Sequence, residues 1–441
     1  MSGIVTSHEP RPKMNPGQLL ALSFLWFPIN LFWTAMLQFL LPQRVQEMVG
    51  EASKGEALGI ISFIGAIATT VIQLVIAPVS DNSRSRFGRR HPFVVIGVVI
   101  GILFMVMFAL VRNFPLLIVS FVGIQLFLNI ANGPYQALMP DNIDDSQEGI
   151  ASAYMGGALL LGQLVAAVLF IVFGQSLPDV GKMIFMSALL AIGTLVTVFG
   201  VRDRPATEAE KVPMGAAIRD LFDWRIRENP DFYTLLSSRF CINLAYFTVV
   251  EFLLYYLQDA IGLGKEKAAP FMGYILLAVT LSALVGTIVA GLVLRYVTKK
   301  QVVYATCVLL ILSALVFTFT GDQLYVLIIA GVFGLGWGAF QAVDWALAVN
   351  LLPTGGAAKY MAIWHICMTV PQIIAPLFGK IADILNAQYG ASMGAGVGWR
   401  AAMLSTVVYL VLGTVLLRPV RERLTSELKT NAGREDALPA E

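Results

Sequence analysis

The polar stretch APVSDNSRSRFGRRHPF, at residues 77–93, separates two long apolar segments of the chain. The segment before it covers about residues 56–79, and the segment after it covers about 91–111. Each is as long as the ~20 apolar residues that an α-helix needs to cross a hydrocarbon core of about 30 Å. The stretch therefore predicts a membrane hairpin, in which a tight charged loop joins two helices of opposite direction.

Apolar segments of this length recur along the whole chain. They lie at roughly 18–41, 56–79, 91–111, 115–139, 149–174, 180–200, 232–258, 268–294, 301–319, 322–350, 358–385 and 399–418. None of them shows the alternation with period two that is typical of barrel strands. We therefore predict an all-α membrane protein with about 12 transmembrane helices.

The composition agrees with a chain that lies mostly in lipid. Of its 441 residues 57% are hydrophobic and 13% are charged, and the mean hydropathy is +0.75. The net charge of +2 implies no nucleic-acid partner. Cys241, Cys307 and Cys367 lie in apolar runs without metal-ligand spacing. Because no phosphate-binding loop or hydrolase motif occurs in a plausible context, we predict no enzyme, no metal site and no cofactor.

Basic residues are distributed unequally between the two sides of the predicted bundle. If the N-terminus is cytoplasmic, 22 of the 30 lysines and arginines fall on the cytoplasmic side. This is the bias of the positive-inside rule. We therefore predict an inner-membrane protein with both termini in the cytoplasm.

Two short matches indicate an internal repeat. YQAL at 135–138 matches DWAL at 344–347, and AYM at 153–155 matches KYM at 359–361. The offsets are 209 and 206 residues, and the difference falls in the loop between the two motifs. Parallel repeats of six helices around a midplane cavity are the architecture of the major facilitator superfamily. The chain thus resembles that superfamily along nearly its whole length.

The repeat predicts two pseudo-symmetric six-helix bundles. The predicted divisions are 1–200 for the first bundle, 201–231 for a cytoplasmic linker, 232–420 for the second bundle and 421–441 for a cytoplasmic tail. Within the linker, VPMGAAIRDLFDW has the spacing of a short amphipathic helix on the membrane surface.

Three patches resemble a narrower group, the sucrose-transporter branch of the glycoside–pentoside–hexuronide:cation symporters. The loop reads S-D-x-x-x-S-R-F-G-R-R-x-P-F from Ser80 to Phe93, and helix 4 reads NGPYQALMPD over 132–141, which is similar to Q-G-P-x-R-A-L-x-x-D of that branch. In helix 1 the residues of the pattern are Trp33, Gln38, Pro42 and Gln46. The resemblance implies cation-coupled sugar transport by alternating access.

The chain also departs from that group. Gln136 stands where the branch has an arginine, and residues 57–79 contain no acid such as melibiose-type relatives use for sodium. Their helix-4 acid falls at Asn132. These departures favour a proton over sodium as the coupling ion.

Three acids are candidates for that proton, in the order Asp344, Asp141 and Glu251. An ionisable side chain in the bilayer core costs about 3 kcal/mol on insertion scales, so each needs a partner, a cavity or a function. For Asp344 the alternative is a structural pair with a helix-terminal arginine, and Glu251 has the alternative of reaching the interface. Asp141 has the alternative of an ion pair with Arg89 or Arg90 at the cytoplasmic gate.

The gate itself is predicted from the loop. Asp81, Arg89 and Arg90 are expected to form a charge network that holds the two halves together when the protein faces outward. The corresponding loop of the second half, at 295–300, is basic but has no acid.

The substrate site is predicted on helices 1, 4, 7 and 10, with one further residue on helix 11. Asn132 and Gln136 are four residues apart and share a helix face, as do Gln341 and Trp345. The predicted set is Trp33, Gln38, Asn132, Tyr135, Gln136, Asn243, Tyr246, Trp337, Gln341, Trp345 and His365. Aromatic rings suit the apolar faces of a pyranose, and amides suit its hydroxyl groups. A lone histidine such as His365 is more often a neutral hydrogen-bonding residue than a titrating one.

Three functions remain open at this stage. The first is proton-coupled symport of a sugar or small glycoside of the sucrose or maltose type. The second is proton-driven efflux of a drug or metabolite, and the third is a non-transporting role in membrane assembly or in pigment or lipid handling. In the first two cases the partners are a small molecule, protons and the lipid bilayer, and the protein is expected to be a monomer.

Overall fold

The computed structural model describes residues 13–174, 176–203, 226, 229–294, 296–351 and 357–421. Within these ranges all regular structure is helical, and twelve helices are long and apolar enough to cross a membrane, which confirms the predicted fold class. We number them spans 1 to 12: Pro16–Val49, Lys54–Asp81, His91–Leu110, Phe114–Met139, Gly149–Phe173, Asp179–Gly200, Pro230–Ala260, Gly264–Val293, Lys299–Phe319, Gln323–Ala348, Ile366–Met393 and Val397–Leu416. The predicted linker helix and tail lie outside the described residues.

The helices that carry spans 4, 5, 10 and 11 extend past the apolar windows. They cover Phe114–Asn142, Glu148–Phe173, Gln323–Leu351 and, for span 11, Ala357–Ile374 followed by Phe378–Met393. A short 3₁₀ turn, Ala375–Leu377, joins the two parts of span 11 at Pro376. Proline removes a backbone donor, so the regular helix cannot continue through this position.

The packing of spans 1–6, the first half, recurs in spans 7–12, the second half. Span 1 packs on spans 5 and 6, as span 7 packs on spans 11 and 12. Span 4 packs on spans 2 and 3, as span 10 packs on spans 8 and 9. Between the halves, span 5 contacts span 8 and span 2 contacts span 11, which are also equivalent pairs. The internal repeat read from two short motifs is thus present in the helix contacts.

Span 1 is longer at its second end than the sequence prediction of 18–41. A π-helical turn over Met36–Leu40 precedes Pro42, and an α-helix continues to Val49. The ring of Pro42 would collide with the carbonyl of Gln38 in a regular α-helix, and a wider turn avoids this. A second π-helical turn, Tyr256–Ala260, ends span 7, the equivalent helix of the second half.

The bundle has two faces, which we name by the chain ends. Spans 1 and 7 begin at the terminal face, where span 12 ends, and they finish at the opposite face. The positive-inside bias predicts that the terminal face is cytoplasmic.

At the opposite face the two halves touch backbone to backbone. A methyl group on Gly55 of span 2 would lie 2.5 Å from the carbonyl oxygen of Gly379 in span 11, and one on Gly379 would overlap the Gly55 carbonyl. Glycine permits this approach because it has no Cβ. The structure is therefore closed at the opposite face, and the closure depends on two glycines.

The closure can be tested by replacing one of these glycines. Gly379→Val should force spans 2 and 11 apart, because overpacking of a tight contact costs about 1–3 kcal/mol. A cysteine placed at the buried Gln258 should then react with a hydrophilic maleimide about tenfold faster or more. Gly390→Val is the matched control in the same span, since a methyl group there meets no atom within 4 Å. Equal labelling in both variants would contradict the assignment of this contact.

Candidate functional site

The charged loop between spans 2 and 3 forms an ion-pair cluster inside the first half. Arg90 Nη1 lies 2.5 Å from Asp81 Oδ1, and its Nε lies 3.0 Å from Asp141 Oδ2. Arg89 Nη2 binds the other oxygen of Asp141 at 2.6 Å. Arg90 also donates to Ser80 Oγ at 2.7 Å. Two motifs 50 residues apart thus meet through their charged residues, and Asp141 takes the alternative role of an ion-pair partner.

The loop needs glycine at position 88 because of its backbone conformation and its contact with Asp203. The carboxylate of Asp203 accepts hydrogen bonds from the backbone N–H groups of Arg90 and His91, at 2.6 and 2.7 Å. These groups open span 3, where donors have no helical partner. Gly88 has φ 99°, and a methyl group there would overlap the Asp203 carboxylate. Only glycine meets both conditions.

One face of span 7 makes three hydrogen bonds to the first half, and we call it the span-7 seam. Ser62 Oγ of span 2 donates to Glu251 Oε1 at 2.5 Å. Tyr255 Oη donates to the carbonyl oxygen of Pro42 at 2.8 Å. The third bond joins the side chains of Gln46, the donor, and Gln258 at 2.8 Å. Residues 251, 255 and 258 share one helix face, so the seam is continuous.

Above the seam, at the opposite face, two ion pairs join the halves reciprocally, and we call them the lid pairs. Lys54 of span 2 lies 2.7 Å from Asp259 of span 7, and Lys265 of span 8 lies 2.8 Å from Glu51. Lys54 is 1% exposed and also binds Glu51 at 2.9 Å. Burial raises the pKa of Glu51, but hydrogen bonds from Lys265, Lys54 and Gln46 outweigh it and lower the pKa to about 2.

Glu51 therefore keeps its charge in the lid at any physiological pH. The stability that Glu51 contributes is present above its unfolded pKa and is lost only as the pH falls towards 2. A pH change between 5 and 8 does not release the lid through this group.

A second charge pair lies inside the second half. Arg239 Nη1 of span 7 binds Asp344 Oδ2 of span 10, and both residues are at most 5% exposed. The guanidinium also lies 4.0 Å from the ring centroid of Trp364 in the helix Ala357–Ile374. Asp344 is thus held by an arginine, which is the alternative considered for it from the sequence.

An apolar cleft opens within the second half between spans 7, 8, 9, 10 and 12. It has about 750 Å³ of empty space, part of it open to solvent, and among the described residues Gln38 alone lines it from the first half. Aliphatic and aromatic side chains form most of the wall, with polar groups from Gln38, Tyr246, Ser313 and Thr406. The rings of Tyr246 and Trp337 stack at 4.0 Å next to it.

A row of amides lies within the first half, between spans 2 and 4. Thr69 Oγ1 donates to Gln125 Oε1 at 2.8 Å, and Gln73 Nε2 donates to Asn129 Oδ1 at 3.0 Å. Asn132 continues the row, and its buried Oδ1 has no hydrogen-bond partner. Gln136, one turn further, is exposed. We call these residues the amide row.

The structure places the predicted site residues in three groups. Gln38, Tyr246 and Trp337 lie at the cleft, and Asn132 and Gln136 belong to the amide row. The polar groups of Tyr135 and Asn243 are engaged inside their own halves, the first with the Leu22 carbonyl at 2.7 Å and the second with the Cys367 carbonyl at 3.2 Å.

Four predicted residues stand apart from these groups. Trp33 and Gln341 are half-buried, and Trp345 is 47% exposed. The side chain of His365 lies outside the described residues. Among the described residues no group of acids, histidines and cysteines could hold a metal ion.

The comparison with known families decides the class of protein. The sequence profile of the Major Facilitator Superfamily matches residues 19–376.

The chain belongs to the Major Facilitator Superfamily.

Curated members of the superfamily match this chain at low identity. A multi-drug resistance efflux pump PmrA homolog of Lactococcus lactis subsp. lactis is 20% identical over 66% of this chain and 69% of its own length. The purine ribonucleoside efflux pump NepI of Escherichia coli K12 is 25% identical over 42% of this chain, and the match spans less than half of that relative, 43%.

Solved superfamily structures share the fold over nearly the whole chain. A bacterial homolog of the human lysosomal transporter Spinster, inward-facing and occupied, has a TM-score of 0.70 at 15% identity, with 92% of this chain and 97% of that chain covered. The nucleoside transporter NupG has a TM-score of 0.68 at 15% identity, with 92% and 99% covered. These matches, with the superfamily profile, show a secondary transporter of the superfamily.

In this superfamily member the sequence reading missed the residues that cross between the halves. Lys54, Glu51 and Asp259 were not among the predicted site residues, although acids and bases recur at the ends of spans 1 and 2 and of spans 7 and 8. Gln73, Gln125 and Asn129 of the amide row were not predicted either. Their spacing of four between 125 and 129 was the available signal.

The contact between Gly88 and Asp203 predicts that one added methyl group at Gly88 lowers the stability of the protein. Gly88→Ala should lower the free energy of unfolding by about 1–3 kcal/mol, because it combines a strained φ with a clash against Asp203. The midpoint of thermal aggregation in detergent measures this. Gly149→Ala is the control, since it meets no neighbour and sits in a helix where alanine is favoured. A midpoint for Gly88→Ala that equals that of Gly149→Ala would contradict the role given to Gly88.

The buried pair predicts a non-additive result. Asp344→Asn leaves the Arg239 charge unpaired and should cost about 3–5 kcal/mol, whereas Asp344→Leu combined with Arg239→Met should recover most of the thermal stability. If the double variant is as unstable as Asp344→Asn, the pair is not the structural unit described above.

Proposed function

We propose that this transporter moves a neutral small glycoside by proton-coupled symport and alternating access. One observation carries the proposal, namely that the two halves offer walls of unlike chemistry. The amide row of the first half is polar, and the cleft with the Tyr246–Trp337 stack in the second half is apolar and aromatic.

The amide row suits hydroxyl groups. An exposed amide such as Gln136 is costly against lipid and is inexpensive in a water-filled cavity. The buried Oδ1 of Asn132 lacks a partner, and a buried polar group without one costs about 1–3 kcal/mol. A sugar hydroxyl donating to that oxygen would remove this cost. The row therefore favours a substrate with several hydroxyl groups.

The apolar cleft suits the remainder of such a substrate. Flat, electron-rich rings such as Tyr246 and Trp337 pack well against the C–H faces of a sugar or against an aromatic aglycone. A purely polar solute would leave this wall without contacts. The combination favours a glycoside that carries an apolar group over a simple free sugar.

The relatives are consistent with this class. A nucleoside is itself a glycoside with an aromatic aglycone, and one curated relative is a purine ribonucleoside efflux pump, while one fold neighbour is a nucleoside transporter. The sucrose-transporter resemblance of the loop and of span 4 adds a second, independent line towards a glycosidic substrate.

Efflux of an apolar drug or metabolite is the second candidate. The cleft favours it, because aliphatic residues outnumber polar ones in the wall, and a multi-drug resistance efflux pump homolog is among the relatives. The amide row has no function in this case beyond joining spans 2 and 4.

Counterflow in proteoliposomes separates the two candidates. Liposomes preloaded with sucrose, maltose, an aryl glucoside, a purine nucleoside or a hydrophobic cation are diluted into the labelled form of the same compound. We expect transient accumulation with an aryl glucoside or nucleoside and none with the hydrophobic cation. Accumulation of the cation alone would overturn the glycoside proposal in favour of the efflux candidate.

The two walls should respond differently to substitution. Asn132→Leu should raise KM for the glycoside about 5- to 100-fold, which corresponds to about 1–3 kcal/mol for an unpaired hydroxyl group. Asn386→Leu on span 11 is a control amide outside the row, since its Oδ1 accepts a hydrogen bond from the Gly398 backbone N–H. Equal KM values for Asn132→Leu and the unmodified protein would remove the amide row from the substrate site.

A further inference from the structure

We propose that Glu251 is the group that takes up and releases the coupling proton, and that its charge decides whether the span-7 seam closes. The inference rests on the proton coupling proposed above and names the residue and the contact that carry it. It follows from the position of one carboxyl group in the contact between the halves.

Glu251 is the deepest member of the seam. It lies nine residues before the end of span 7 at Ala260, so at 1.5 Å per residue it is about 13 Å inside the opposite end of the helix. Its Oε1 is 2.5 Å from Ser62 Oγ on the other half, and Ser62 is buried. Of the three span-7 residues in the seam, Glu251 alone carries a carboxyl group, and it lies farthest from the opposite face.

The charged residues around Glu251 bind partners other than Glu251. Towards the opposite face, Lys54 of the lid binds both Glu51 and Asp259. On span 11, Asp383 accepts from the Glu56 backbone N–H at 2.7 Å.

Towards the opposite face, Tyr255 Oη donates to the Pro42 carbonyl and not to Glu251. Among the described residues Glu251 takes part in no ion pair. A carboxylate in this position therefore has one hydroxyl donor and no cation to balance it.

The other two candidate acids differ in this respect. Asp344 is bound by Arg239, and Asp141 is bound by Arg89 and Arg90. An arginine keeps its proton at any accessible pH and so holds its partner in the ionised form. Of the three candidate acids, Glu251 is therefore the one without an arginine partner.

The closed seam is compatible with a neutral carboxyl group and costly with a charged one. An uncompensated charge away from water is unfavourable, whereas a carboxylic acid exchanges a hydrogen bond with Ser62 at little cost. When the opposite face is open, water reaches the seam and the carboxylate is solvated.

Proton uptake then proceeds in one balanced step. A hydronium ion at the opposite face breaks one O–H bond, the proton forms an O–H bond with the Glu251 carboxylate, and a water molecule is left; the loss of the negative charge lets the halves close. When the terminal face opens, water from that side reaches Glu251, takes up its proton as hydronium and solvates the carboxylate that is left.

The sign of the pH effect follows directly. The closed form carries one more proton than the form open at the opposite face, so it dominates at low pH and loses population as the pH rises. In the titrating range the ratio of closed to open molecules should fall by up to tenfold per pH unit. Glu51 of the lid does not produce this slope, because its hydrogen bonds lower its pKa to about 2.

Spin-label distances across the opposite face measure the ratio. Cysteines at the exposed positions Glu47 and Lys267, one in each half, carry the labels, and the three native cysteines are replaced by alanine. We expect a short distance at pH 5 that gives way to a longer one by pH 9. In Glu251→Gln the short distance should persist, with less than a twofold change in the ratio over the same range.

Two matched variants separate titration from simple weakening of the contact. Ser62→Ala and Asp259→Asn each remove one bond between the halves and keep Glu251. Both should increase the open population at low pH while retaining a pH dependence. If Glu251→Gln keeps the slope of the unmodified protein, or if the unmodified protein shows none, the inference is wrong.

Transport assays distinguish this inference from the proposed function. The liposomes are given an aryl glucoside and a pH gradient that is acidic outside. Under these conditions Glu251→Gln should lose uphill accumulation and keep counterflow exchange. If the unmodified protein catalyses counterflow but never accumulates substrate under the gradient, proton coupling itself fails. If both proteins accumulate substrate, coupling stands and its assignment to Glu251 is overturned.

Discussion

A membrane transporter has to bring polar groups together inside hydrocarbon and then part them again. In lipid every unsatisfied polar group costs several kcal/mol, so a contact between two moving bundles cannot be made of arbitrary hydrogen bonds. The span-7 seam meets this constraint with three bonds in one row, from Glu251, Tyr255 and Gln258 to the first half. The close glycine contact and the lid pairs join the same two halves at the opposite face.

Two clusters of charged residues tie helices together inside single halves of the protein. Arg90 with Asp81 and Asp141 organises the terminal face of the first half, and Arg239 with Asp344 ties span 7 to span 10 in the second. Each cluster lies inside a single half, the first cluster in the first half and the second cluster in the second half. The ion pairs described for them therefore do not join the halves in this closed-lid conformation. The loop network predicted to do so in the outward-facing state remains a prediction for that state.

The sequence was sufficient for the fold because hydrophobic length and repeated packing are local properties. Twelve apolar segments gave twelve spans, and two short motifs gave the repeat. The site was harder, because its contacts join residues about 190 to 213 positions apart, as Ser62 to Glu251 and Pro42 to Tyr255. Asp344 ranked above Glu251 on depth and neighbours alone, and the sequence did not show that Arg239 faces it. From the sequence Pro42 indicates the end of a helix, whereas in the structure a π-helical turn before it allows the helix to continue.

The central claim is that substrate and proton cross together in one direction. Proteoliposomes that enclose a pH-sensitive dye and receive a downhill gradient of an aryl glucoside, with no imposed pH gradient, test it directly. Symport predicts that the interior acidifies as the glycoside enters, and that a protonophore abolishes the signal. An unchanged interior pH during glycoside entry, or an interior that becomes alkaline, would contradict the account.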